Sequence, residues 1–133
     1  MPRRACLVVA LGLYMVASLG AQDEGAPAWL SGTWVGQGYQ PGSDAHFTIE
    51  LICDATTRAF AISYPSLGCS GTWELVSQAD GVARFVETIT EGTDACVDGG
   101  KVVLTQISDQ FVTWSFFYPD DETLDSFSTL HKE

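Results

Sequence analysis

The sequence predicts an all-β fold, a small antiparallel up-and-down barrel of about eight strands. Three observations predict it. Short stretches alternate apolar and polar side chains, the period of a strand with one buried face. Clusters of Gly, Pro, Asp and Ser separate these stretches at short intervals. Beyond residue 20 no stretch carries a convincing helical period. A meander of this size must hide its edge strands, and closing into a barrel does so. Alternation does not separate a barrel from a two-sheet sandwich, which stays the alternative.

Residues 1–20 read as a secretory signal peptide. Arg3 and Arg4 precede an apolar core at residues 7–19, too short to span a bilayer comfortably, and Ser18-Leu19-Gly20 supplies small residues for cleavage. Residues 21–28 form a polar linker with Gly25 and Pro27, and residues 29–133 form one domain.

The strands follow in order. Residues 33–39 make the first, loosened by Gly36 and Gly38, and Pro41-Gly42-Ser43-Asp44 turns the chain. In residues 46–53, Phe47, Ile49, Leu51 and Cys53 share one face. Residues 58–64 return with Arg58, Phe60, Ile62 and Tyr64 inward. After the Pro65-to-Gly68 loop, residues 69–77 turn Gly71, Trp73 and Leu75 inward. A hairpin turn at Gln78-Ala79-Asp80-Gly81 leads to residues 82–90, with Ala83, Phe85, Glu87 and Ile89 on the inner face. A longer loop spans residues 91–100. Residues 101–107, 110–118 and 124–131 complete the set, joined through Ser108-Asp109 and through residues 119–122. The seventh stretch is apolar on both faces. Trp114, Phe116 and Tyr118 share one, and Phe111 and Phe117 share the other, which offers a surface to a partner protein or a second copy.

Without Arg3 and Arg4 the chain carries four Lys and Arg against seventeen Asp and Glu, a formal −13. Such a surface repels nucleic acid and anionic lipid, and draws cationic partners in a salt-sensitive way. Cys6 leaves with the leader, so Cys53, Cys69 and Cys96 remain. Strand directions put Cys69 and Cys96 at the same end of the fold and Cys53 at the other, about 20 Å away at about 3.3 Å per residue. A disulfide needs Cα atoms within about 7 Å. The pair is therefore Cys69–Cys96, with Cys53 a buried free thiol.

Catalytic chemistry finds little support. His46 alternates to the outer face and His131 lies near the chain end, so no Ser-His-Asp or Cys-His order emerges. Metal-ligand spacings and phosphate-binding loops are absent as well. The acids at Asp94 and Asp98, and at residues 120–125, read as solvated turn charge. Glu87 stands apart, because its inward register requires a partner or neutrality. Arg58 is the one basic residue on an expected inner face. The two therefore read as a buried pair or as a polar anchor for a ligand.

The run Tyr64-Pro65-Ser66-Leu67-Gly68-Cys69-Ser70-Gly71-Thr72, then Arg84-Phe85-x-Glu87-x-Ile89-Thr90-x-Gly92 and Cys96-Val97-Asp98-Gly99-Gly100, resembles extracytoplasmic domains of bacterial secreted and membrane proteins. Among these are domains attached to some actinobacterial Ser/Thr protein kinases. The resemblance implies an all-β module with Cys69 and Cys96 paired, and it carries no catalytic residues. Gly32-Thr33-Trp34 is similar to the opening strand of lipocalin-like and avidin-like barrels.

The expectation is a secreted or periplasmic, non-enzymatic binding module without a cofactor or metal. Trp34, Trp73, Phe85, Glu87 and Arg58 are its expected ligand-binding residues, for a small molecule or a cell-envelope component. The alternative is a protein-binding module, such as an inhibitor of a cationic secreted enzyme like lysozyme.

Overall fold

The computed structural model describes residues 25–120 and 122–133. The expected leader with Cys6, the first residues of the linker, and Asp121 lie outside the described residues. Eight antiparallel strands close into an up-and-down barrel in simple sequence order. They are β1 (Gly32–Gln40), β2 (Ala45–Asp54), β3 (Ala59–Tyr64), β4 (Cys69–Ala79), β5 (Val82–Glu91), β6 (Lys101–Gln106), β7 (Phe111–Phe117) and β8 (Leu124–Lys132). Pairing of β1 with β8, for example Trp34 opposite Lys132 and Tyr39 opposite Phe127, closes the ring and rules out the sandwich.

Alternation along each strand decides which side chains enter the core. Phe47, Ile49, Leu51 and Cys53 are buried along β2, and their neighbours are exposed. On β5 the buried set is Ala83, Phe85, Glu87 and Ile89. On β7 the Trp114 face turns inward, while Phe111 is 45% exposed on the outer face. The β4–β5 hairpin turns at Asp80 and Gly81, both with positive φ (52° and 77°), the conformation that suits the twist of a tight hairpin. The β6–β7 connection is longer than expected. Ile107 and Gln110 fall outside the strands, and the amides of Ile107 and Ser108 both donate to the Phe111 carbonyl.

The barrel's two ends differ. At one end a short 3-10 turn, Ala28–Leu30, plugs the opening. Leu30 is fully buried, and its carbonyl accepts the indole N–H of Trp34 at 2.8 Å. Lys132 lies over the Trp34 ring at 5.3 Å. At the other end Cys69 and Cys96 form the disulfide, with Cα atoms 6.3 Å apart. That bond ties the start of β4 to the loop at residues 92–100, as strand direction requires.

Backbones approach closely beside the disulfide. A Cβ on Gly71 would sit 1.9 Å from the Thr88 carbonyl oxygen, where the β4–β5 register shifts between Ser70 and Gly71. The obstruction is backbone, so a flexible side chain cannot move aside. Gly71→Ala is expected to destabilise the fold by about 1–3 kcal/mol, the cost of overpacking a well-filled site. Urea unfolding of the variant measures this, and an unchanged midpoint would contradict the packing just described.

Candidate functional site

Side chains fill the interior from the plugged end to the middle. Phe85 lies 5.1 Å from Phe60 and 4.9 Å from Trp73, ring centre to ring centre. Above this layer, at the disulfide end, the barrel opens into a cavity of about 270 Å³. Ligand pockets usually span about 300–1,000 Å³, so this one is small. Phe47, Tyr64, Trp114, Phe116 and Tyr118 supply its aromatic surface, and Glu87 its buried acid. Ala95, Cys96 and Val97 form one wall, and Gln40, His46 and Asp125 also line it.

Each group is placed by local structure. Glu87 is 1% exposed on β5, directly opposite Trp73 of β4. The Trp73 indole N–H donates to Glu87 Oε2 at 2.7 Å, and the Tyr64 hydroxyl donates to the same oxygen at 2.5 Å. Backbone bonds fix Glu87 further: its amide donates to the Gly100 carbonyl and its carbonyl accepts the Gly99 amide. Asp98 holds the same loop by accepting the Ile89 amide at 2.8 Å. On the rim, the Gln40 side-chain amide donates to both Asp125 carboxylate oxygens, at 3.0 and 3.1 Å.

Burial sets the electrostatics. It raises the Glu87 carboxyl above its usual range; the Tyr64 and Trp73 hydrogen bonds oppose this, and the negative charge of Asp98 adds to it. Burial also pushes the Tyr64 phenol well up, reinforced by Glu87, so Tyr64 stays a donor at neutral pH. Trp114, 1% exposed, keeps its indole N–H in the core without a hydrogen-bond acceptor among the described residues. A buried unpaired donor is uncommon and costs about 1–3 kcal/mol.

The sequence-derived residues divide. Glu87 lies in the cavity and Cys96 in its wall. Trp73 reaches the site through its hydrogen bond to Glu87, while Phe85 packs beneath it. Trp34 lies at the plugged end. Arg58 corrects the expectation. It is exposed in the β2–β3 turn with φ 57°, and its guanidinium donates to the Leu75 carbonyl at 3.4 Å. The turn breaks the alternation one residue before β3 begins, so Arg58 does not share the Phe60 face. Glu87 is held by Tyr64 and Trp73 instead of by Arg58.

Sequence reasoning missed Tyr64, Phe47, Trp114 and Phe116 as site residues. Their signal was present as inward register at the disulfide ends of β2, β3 and β7. No protein-family model, curated protein or solved structure matches the chain.

Cys53 is buried at the plugged end, and burial pushes its thiol up to about 12. The folded mature protein, without Cys6, is expected to leave a thiol reagent such as Ellman's unconsumed at neutral pH, and to consume one equivalent once denatured without reductant. Rapid reaction in the native state would place Cys53 outside the core.

Proposed function

We propose that the chain is an extracytoplasmic, non-enzymatic binding module, and that its ligand enters the barrel at the disulfide end. The observation that carries this reading is the cavity itself, open at one end only among the described residues, with a buried carboxyl at its floor. A core built for stability alone gains nothing from a buried acid beside an unfilled volume. A binding site needs both, an apolar wall for affinity and a few fixed polar groups for orientation. The leader pattern, the disulfide and the acidic composition support the secreted or periplasmic location.

The test is native mass spectrometry of the mature protein, expressed from the full-length gene and purified from the extracytoplasmic fraction without reductant. A reproducible extra mass that leaves on denaturation is the expected result. A bare monomer would count against the reading. A second reading, a protein-binding module, is favoured by the outer face of β7 and β8, where Phe111, Leu124 and Phe127 are 45%, 46% and 43% exposed. A bare dimer, or a salt-sensitive complex with a cationic enzyme such as lysozyme, would move the assignment to that face.

A further inference from the structure

We infer that the cavity selects a small organic cation: a primary amine on a short aromatic or apolar body that also carries an oxygen acceptor. This deepens the ligand-binding reading and rests on it. Three observations converge on the amine and a fourth on the oxygen acceptor.

The first is charge. Among the described residues the cavity is lined by two acidic side chains, Glu87 and Asp125, by His46, and by no Lys or Arg. An anionic ligand would enter a site without a fixed positive charge to meet it, in a strongly acidic chain. The second is the aromatic surround. Phe47, Tyr64 and Trp114 stand with ring centres 5.8 to 6.2 Å apart, and Phe116 stacks on Trp114 at 6.0 Å. Ring faces attract cations, and the attraction strengthens where water is excluded.

The third is the carboxyl of Glu87. Among the described residues two donors reach it, and both converge on Oε2 and not on Oε1. An ammonium N–H donating to Oε1 would complete the group's hydrogen bonding as a charge-assisted pair. The fourth is the buried Trp114 indole N–H, which lacks an acceptor among the described residues. A hydroxyl or carbonyl oxygen on the ligand would supply one. A neutral alcohol satisfies the indole but offers Glu87 no cation, so the carboxyl keeps the neutral form that burial favours. A simple alkyl amine does the reverse.

The pairing also predicts a proton. Burial favours the neutral form of Glu87 in the empty cavity, and an ammonium favours its anion. Amine binding therefore releases a proton while Glu87 is protonated, and the affinity rises with pH through the range in which Glu87 ionises. Tyr64, Trp73 and Asp98 face the carboxyl, and His46, Asp125 and Tyr118 share the cavity. The Glu87→Gln variant isolates the Glu87 contribution from theirs.

The test titrates the purified protein with three probes of one shape: tyramine, its neutral alcohol tyrosol, and the anion 4-hydroxyphenylacetate. Calorimetry and tryptophan fluorescence report binding. Tyramine is expected to bind at least tenfold more tightly than tyrosol, with no measurable binding of the anion. In Glu87→Gln that preference and the proton release should both vanish. Equal or tighter binding of tyrosol or the anion overturns the inference and leaves a small-ligand site standing. Binding of none of the three also overturns it, and the broader reading falls with it only if the native mass experiment yields bare protein. A tyramine preference that survives intact in Glu87→Gln overturns the assignment to this carboxyl.

Discussion

Replacing Cys69 and Cys96 together by serine is expected to lower the stability of the fold by about 3–4 kcal/mol. The bond closes a 27-residue separation, and in the chain-entropy model most of its effect is a restriction on the unfolded chain. A structural consequence should accompany the energetic one. The loop at residues 92–100 is held at its far end by the Asp98 bond to the Ile89 amide and by the backbone bonds joining Glu87 to Gly99 and Gly100. Its near end depends on the disulfide and on the close approach of Gly92 to Gly68. Hydrogen exchange should therefore accelerate at residues 92–97 and stay slow at Gly99. Ala95, Cys96 and Val97 belong to the accelerated part and line the cavity, so ligand affinity should fall with stability. Equal acceleration along the whole loop would show that the bonds at Asp98 and Glu87 do not hold it independently.

The pairing of those cysteines was legible because it needs only strand direction. Once the hairpins are read, direction places Cys69 and Cys96 at one end whatever the curvature of the sheet. The inner faces of β2 and β5 were legible for a similar reason, since a period of two is written in the residues themselves. Closure was legible only through the need to hide edge strands, because the pairing of Trp34 with Lys132 joins residues at opposite ends of the domain and leaves no local mark. Arg58 shows where alternation misleads. The pattern Arg58, Phe60, Ile62 continues smoothly, yet Asp54 accepts the amides of Thr56 and Thr57 and bends the chain into a turn that ends on Arg58 with positive φ. That Asx signal was in the sequence and competed with the period. The partners of Glu87 were missed on a different ground. A search for an opposite charge finds Arg58, whereas the acid is satisfied by two neutral donors, Tyr64 and Trp73, brought near it from β3 and β4.

Glu87→Ala is expected to be far more damaging than Glu87→Gln. Alanine strands the Tyr64 hydroxyl and the Trp73 indole N–H, both buried, at about 1–3 kcal/mol each, and leaves a cavity beneath them. A loss of about 3–5 kcal/mol follows. Glutamine keeps an oxygen where Oε2 stands and the shape of the side chain, so its cost should be within about 1 kcal/mol. The pH dependence separates the two forms of the acid. Because the folded carboxyl is raised above its ordinary 4.5, folding favours its protonated form. The stability this provides is fully present below that ordinary value and is lost as pH rises through the folded value. Wild type should therefore lose stability relative to Glu87→Gln as pH increases over that interval, and the gap should then level off. Urea midpoints of the two proteins across the interval measure it. A constant gap would mean that Glu87 ionises in the barrel as it does in the unfolded chain. An alanine variant as stable as the glutamine one would mean that water from the open mouth satisfies Tyr64 and Trp73. The acid would then be dispensable to the fold, and its retention would be explained by the ligand alone.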